Sequence, residues 1–239
     1  MMATGNPGKW TQRIARASIA AAILVVLAGP LIKFGILPWA AGLGMFAIGA
    51  ILAGLGGIFC LVRLLKRQGG IVTVVGAAAG LAALAVPVAI VVEAGDKPPI
   101  HDITTDTANP PAFVTITPAL RGADSNPVSY DPALAPVQAK AYPKVKPLVI
   151  VDEPRIAFEK ALAAVTAMGW TLVDKDAYSG RIEATDTVPW WGFKDDVVIR
   201  LTPEGNGTRI DVRSKSRVGK GDLGVNAERI GKYLAKISG

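Results

Sequence analysis

Four aspartates and the chain's single histidine are the residues best suited to acid-base chemistry. His101 stands beside Asp102 and close to Asp106, and two further carboxylates, Asp195 and Asp196, are adjacent to each other. Catalysis through a histidine needs a positioned carboxylate and nucleophile, but the sequence has no Gly-x-Ser-x-Gly motif. Neighbouring strand residues also point to opposite faces, which separates the adjacent pair. We therefore predict no catalytic residue, and a hydrolase built on this polar cluster is the alternative.

The same region offers too few ligands for a metal site. A zinc site uses several cysteine, histidine or carboxylate ligands, and His101 with Asp102 and Asp106 has no second histidine or cysteine to complete one. The only cysteine, Cys60, falls in an apolar run and is expected to be a small packing residue. We predict no metal ion and no cofactor, with a metal-dependent enzyme as the alternative.

A short aromatic segment is a stronger candidate for binding. Trp190, Trp191 and Phe193 are followed by Lys194 and fall between two strand-like runs. Loop aromatics supply rigid contact area in recognition, and tryptophan also favours the membrane interface. Capping of the domain core is the structural alternative, which we expect for one of the two tryptophans.

Arginines that alternate along two strand-like runs form a second candidate binding surface. A two-residue turn at Asn206-Gly207 would place Arg200 opposite Arg213 and Asp196 opposite Arg217. Like charges that face each other across a sheet repel. We therefore expect an anionic group beside the arginines.

Two sources of that anionic group stay open. Glu183 on a neighbouring strand is one, and a carboxylate of the preceding segment, a partner or a lipid headgroup is the other. The same alternation places Ser214 and Ser216 on the opposite face, which the helices cover. Their hydroxyls need partners there, from the last helix or the preceding segment.

The elements that would position these residues form an α+β domain over residues 149–239. A helix begins after Asp152-Glu153-Pro154 and stops at Gly169, and a second helix runs from Val225 to Ile237. Strand-like runs lie between them at 170–173, 181–187, 196–202 and 208–217. Short connections predict a four-stranded antiparallel sheet with the helices on one face.

Residues 94–148 form a proline-rich segment that we call the arm. Its prolines recur too densely for long helices or central strands. We predict an extended segment that lies over the following domain or against a partner.

The first 93 residues have the composition of a membrane domain. Apolar runs lie at about 17–38, 39–62 and 70–92, and only the first contains a charged residue, Lys33. Each is long enough to cross a bilayer, which takes about 20 residues. Because Pro30-Leu31-Ile32 is a poor cleavage site, we expect an uncleaved helix in first position. The sequence predicts three transmembrane helices.

The distribution of charge predicts the orientation of these spans. Residues 1–92 hold seven basic residues and no acidic one, so the net charge of +7 comes from the apolar part of the chain. Six of the seven flank one side of the spans and Lys33 alone marks the other. By the positive-inside rule the amino terminus is cytoplasmic, and three spans place the domain outside the cytoplasm. We interpret the charge as a topology signal and predict no nucleic-acid binding.

Small residues recur at four-residue spacing in the second and third spans. They are Gly49, Ala53, Gly57, Gly76 and Gly80. This spacing lets helices approach closely in lipid, either within one chain or in a homo-oligomer. Because no span contains an acidic residue or histidine, a transporter or channel is disfavoured.

Several segments resemble the bacterial and plastid domain-of-unknown-function family 1499. They are 99–106, 183–190, 192–200, 211–219 and 222–227, and they occur in the family's order. The resemblance runs from about Pro98 to the end, so it implies that the arm belongs to the domain and that the membrane part is an accessory. It implies no activity.

The leading hypothesis is a multi-pass bacterial inner-membrane protein with a non-catalytic periplasmic domain. That domain is expected to bind an unidentified protein or amphiphilic ligand through the arm, the aromatic loop and the arginine face. The alternatives are a periplasmic hydrolase or metal-dependent enzyme, and an accessory subunit of a larger membrane complex.

Overall fold

The computed structural model describes residues 7–238, which form two compact units. The helical unit comprises the described residues up to Gly95 together with Pro189–Gly192. The sheet unit comprises Asp96–Val188 and the described residues from Phe193 onwards. Each unit has a hydrophobic core of its own.

Three long apolar helices of the described chain build the helical unit: α1 (Pro7–Lys33), α2 (Trp39–Leu65) and α3 (Ile71–Ala94). Each is long and apolar enough to cross a membrane, as predicted. Their outward side chains form an apolar belt that includes Ile23, Val26, Leu55 and Val75. Such a continuous exposed apolar surface fits contact with lipid and supports membrane association.

The first span differs from its predicted bounds of about 17–38. Helix α1 begins ten residues earlier and ends at Lys33, and residues 34–38 form a turn. Gly35 adopts a φ of 69° in this turn, a conformation that glycine tolerates without strain. The cations that precede the apolar run therefore lie within the helix.

The small residues are buried where the three helices meet. A Cβ added at Gly57 would lie 3.1 Å from Gly80 Cα, and one at Gly76 would lie 2.9 Å from Ala15 Cα. The Ser18 hydroxyl contacts both other helices, 2.9 Å from the Ala53 carbonyl and 3.0 Å from that of Gly76. All five small residues are buried inside one chain. The structure therefore uses them for packing within the chain.

The sheet unit contains, within the described residues, six strands and four helices. The strands are β1 (Asp102–Thr104), β2 (Leu148–Ile150), β3 (Thr171–Asp176), β4 (Arg181–Thr187), β5 (Lys194–Glu204) and β6 (Gly207–Ser216). The helices are α4 (Pro118–Arg121), α5 (Leu134–Ala141), α6 (Pro154–Ala167) and α7 (Val225–Ser238). All strand pairs are antiparallel.

The sheet has six strands across the described residues, not the predicted four. Strands β3, β4, β5 and β6 form the expected meander, the arm adds β1 beside β6, and β2 at the junction of the arm and the predicted domain also pairs with β6. Each added strand has only three residues, too few to show an alternating pattern. The arm therefore completes one edge of the sheet, which explains why it is not simply an extended segment.

Helices α6 and α7 pack on one face of the sheet. Their apolar residues Phe158, Val165 and Ile230 join inward strand residues such as Ile199 and Val212 in a single core. The stop predicted at Gly169 is confirmed by its φ of 74°. The face assignment from strand alternation is therefore correct.

The β5–β6 hairpin has a different register from the predicted one. Glu204 pairs with Gly207, so the turn residues are Gly205 and Asn206. Gly205 supplies the positive φ of 57° at the first turn position, as a type II′ turn requires. Arg200 consequently faces Asp211, not Arg213. Because the shift is two residues, every side chain keeps its predicted face.

Candidate functional site

The sheet face opposite the helices carries charged residues that the arm covers. At its centre Asp102 of β1 is fully buried and accepts two hydrogen bonds from the Arg213 guanidinium, at 2.8 Å each. Lys215 Nζ lies 2.8 Å from the same carboxylate. Arg213 is only 3% exposed, so its charge is neutralised within the chain.

Backbone carbonyls and aromatic rings complete the surroundings of this ion pair. Arg213 also donates to the carbonyl of Val128, and Lys215 donates to that of Ser129. The guanidinium carbon of Arg213 lies 5.2 Å from the centre of the Phe113 ring, a cation–π distance. Burial lowers the pKa of Lys215, and the Asp102 charge opposes that effect. The arm therefore supplies both the counter-charge and the hydrogen-bond acceptors.

A second buried carboxylate, Asp196 of β5, binds two arginines. Arg121 Nε from α4 and Arg217 Nε each lie 2.9 Å from Asp196 Oδ2. Thr185 on the neighbouring strand donates to the other carboxylate oxygen at 2.8 Å. Desolvation lowers the pKa of Arg121, and Asp196 counteracts it. Arg217 thus serves as an internal ion-pair partner.

The Glu183 carboxylate holds the arm by accepting hydrogen bonds from backbone N–H groups of the arm. This fully buried carboxylate accepts N–H groups from Val114 and Ile116 at 2.7 Å and from Thr115 at 3.2 Å. Arg181 Nε lies 3.1 Å away on the same strand. Glu183 therefore does not bridge Arg200 and Arg213. The arm supplies Asp102 to Arg213, whereas Arg200 pairs with Asp211 of β6 and with Asp106 of the arm.

The fourth group joins Asp106 of the arm to Arg200, Arg209 and Asp211. Arg200 Nη2 lies 3.3 Å from Asp106 Oδ2 and 2.9 Å from Asp211 Oδ2. Burial alone would raise the pKa of Asp211, but hydrogen bonds from both arginines outweigh it and hold that pKa below its usual value. Arg200 is partly exposed but already paired.

Asp195 lies on the other face of the sheet, against α7. Arg229 of that helix bridges Asp195 at 2.6 Å and Asp186 at 2.8 Å. Asn226, in the first turn of α7, accepts from the Ser214 hydroxyl and donates to that of Ser216. Of the two partners expected for these serines, the last helix is the one observed.

The predicted polar cluster is therefore divided among separate sites. Asp102, Asp106 and Asp196 belong to three ion-pair groups under the arm, and Asp195 faces the helices. His101 Nδ1 lies 3.3 Å from the backbone carbonyl of Lys220. Within residues 7–238 no three histidine, cysteine or carboxylate side chains are grouped as metal ligands.

The aromatic loop divides between the two units. Trp190 and Trp191 group with the helices, where their ring centres lie 4.6 Å apart and 6.1 and 5.2 Å from that of Phe46. Phe193 belongs to the sheet unit, and its carbonyl accepts the Val188 N–H. Lys194 is the exposed first residue of β5.

Trp190 forms one wall of an apolar groove of about 500 Å³ in the helical unit. The groove runs between α1 and α3, and its lining is Ile19, Ala22, Ile23, Val25, Val26, Leu27, Ala79, Ala82, Ala83 and Val86. These are aliphatic side chains throughout. An apolar chain is the chemical match for such a surface.

A family model described as "Protein of unknown function (DUF1499)" matches residues 102–237, more than half of the chain. The chain belongs to the DUF1499 family. The resemblance found from the sequence is thus confirmed for the C-terminal domain. A comparison with curated proteins gave no significant match.

The DUF1499 match begins at Asp102, the residue that neutralises Arg213. It contains every ion-pair group of the sheet face that lies under the arm. The membrane helices lie outside it. Sequence reasoning missed Arg121 and Arg229 in this DUF1499 domain. The signal for both was only the general rule that an arginine needs a carboxylate if it is buried.

Proposed function

We propose that the protein is a bacterial inner-membrane protein with a periplasmic DUF1499 domain, and that it acts by binding and not by catalysis. The ligand is an amphiphile, and its acyl chain occupies the groove of the helical unit that is lined by α1, α3 and Trp190. The observation that carries this proposal is the apolar groove on helices that are long enough to span a bilayer.

The state of the charged residues supports binding over catalysis. Asp102, Asp196 and Glu183 are fully buried and engaged with arginines or arm N–H groups. A general acid or base must reach the proton that it transfers. These carboxylates instead hold the arm on the sheet, so their arrangement favours a structural role.

The position of Trp190 supports an amphiphilic ligand. Its ring packs beside Gly29, where a Cβ would lie 2.7 Å from the ring, and 36% of the residue remains exposed. Lys33 Nζ donates to the Pro189 carbonyl at 2.9 Å, close to the end of α1. Tryptophan and lysine at the end of a membrane helix are typical of the interface between headgroups and acyl chains.

Filling the groove tests the ligand. Ala82→Leu adds bulk to an exposed lining residue, so labelling of the full chain in membranes by a photoactivatable palmitate should fall at least about fivefold. Ala85→Leu is the matched control, since Ala85 is exposed on the same helix but does not line the groove. Mass spectrometry of labelled peptides gives the positions. Labelling that is even around the helices, or equal in both variants, would contradict the proposal.

Cysteine labelling tests the orientation. Cys60 is buried, so single cysteines placed at exposed Tyr178 and exposed Gln68 report separately on the domain and the α2–α3 connection. We expect a membrane-impermeant maleimide to label Tyr178→Cys, but not Gln68→Cys, in cells with a permeabilised outer membrane. The reverse result would place the domain in the cytoplasm.

A further inference from the structure

Two polar side chains lack partners at the connection between α2 and α3. Thr73, in the first turn of α3, is 0% exposed, and its hydroxyl has no hydrogen-bond partner among residues 7–238. The Nε atom of Arg63, in the last turn of α2, is likewise inaccessible and unpaired in that part of the chain. Buried donors without acceptors are costly, so this pair indicates an acceptor at this place.

The two glycines before α3 differ in their surroundings, since Gly69 packs against Thr73 and Gly70 faces open space. Thr73 lies against Gly69, where a Cβ would come 2.9 Å from the hydroxyl. Gly70 caps the helix without a side-chain hydrogen bond, and no acidic residue occupies the first turn. A Cβ at Gly70 would meet nothing within 4 Å. The positive end of the helix dipole therefore faces open space at Gly70, while Gly69 covers the unpaired hydroxyl.

The charge around this connection is uncompensated. The ends of the helices meet here, since Ala15, Cys60 and Ala77 form one cluster with Leu64 and Val72 beside it. Residues 1–92 contain no carboxylate. The basic residues at this end are Lys9, Arg13, Arg16, Arg63, Lys66 and Arg67, and none is within ion-pair distance of a carboxylate in the described chain.

We propose that the α2–α3 connection binds the phosphate of an anionic phospholipid headgroup. On binding, the backbone at Gly69 moves off the Thr73 hydroxyl, so that this hydroxyl and Arg63 donate to the phosphate oxygens, and Lys66 and Arg67 neutralise the remaining charge. A lipid is the source of the phosphate because the connection joins two helices of bilayer-spanning length, which places it at headgroup level. This site is separate from the acyl groove of the proposed function and does not depend on it.

Native mass spectrometry of the full chain in detergent tests the site, with phosphatidylglycerol and phosphatidylcholine as probes. The wild type should retain phosphatidylglycerol in preference to phosphatidylcholine. Thr73→Val keeps the shape of the side chain and removes the donor, and Arg63→Gln removes the charge. We expect each to weaken phosphatidylglycerol binding by about tenfold or more. Lys236→Gln, which removes an exposed cation of α7 in the sheet unit, should bind as the wild type does.

Three results would overturn the proposal. They are equal retention of the two lipids by the wild type, unchanged phosphatidylglycerol binding in both variants, and displacement of the lipid by excess inorganic phosphate, which would make a free anion the ligand. Far-ultraviolet circular dichroism shows whether Arg63→Gln is folded. Thr73→Val tests the site independently, because valine has nearly the volume of threonine.

Discussion

Asp102→Asn should destabilise the sheet unit by about 3–5 kcal/mol. The substitution leaves Arg213 and Lys215 buried without their counter-charge, and both side chains are at most 4% exposed. The arm would also lose a principal attachment to β6. Pulse proteolysis of the full chain in detergent micelles at increasing urea concentration measures the loss as a shift of the midpoint for the sheet unit.

An exposed ion pair in the same unit provides the control. Glu153 and Arg155 lie 3.5 Å apart with side chains that are 61% and 79% exposed. Water screens such a pair, so Glu153→Gln should change stability by no more than about 0.5 kcal/mol. Equal shifts for Asp102→Asn and Glu153→Gln would show that burial of the Asp102 pair does not stabilise the unit.

Gly80→Ala should destabilise the helical unit by about 2–3 kcal/mol. The added methyl would collide with the Ala53 carbonyl, the Ser18 hydroxyl and the Gly57 backbone, so the helices must separate. That separation also breaks the Ser18 hydrogen bonds to α2 and α3. The SDS mole fraction at which helical structure is lost in mixed micelles should fall.

Gly44→Ala is the matched glycine substitution. A Cβ at this position of α2 meets nothing within 4 Å, so we expect an unchanged or slightly higher SDS midpoint. If the two alanine variants unfolded together, the close approach of backbones at Gly80 would contribute nothing to stability.

Local patterns predicted most elements of the fold. Alternation located β4 at its observed bounds, and the apolar stripe of α6 with Gly169 gave the helix and its end. The hairpin register was wrong because Gly205-Asn206-Gly207 contains two possible two-residue turns, Gly205-Asn206 and Asn206-Gly207, and the structure uses the first. Strands β1 and β2 were missed because three residues beside prolines carry no periodic signal.

The candidate sites were less predictable because they depend on distant contacts. Alternation placed Arg200 and Arg213 on the correct face, and charge repulsion correctly required an anion there. Which anion it is follows only from the path of the arm, which brings Asp102 and Asp106 to these arginines. The apolar groove between α1 and α3 depends on helix packing, and hydropathy alone does not encode its shape.

The link between Asp102 and Arg213 joins residues 111 positions apart. During translation the arm leaves the ribosome long before β6 exists, so its carboxylates have no permanent partners until nearly the whole domain has been made. Contacts of such long range form slowly. The domain should therefore close in a single late step and stay flexible until then, because the first residues of the domain are held in place by the last.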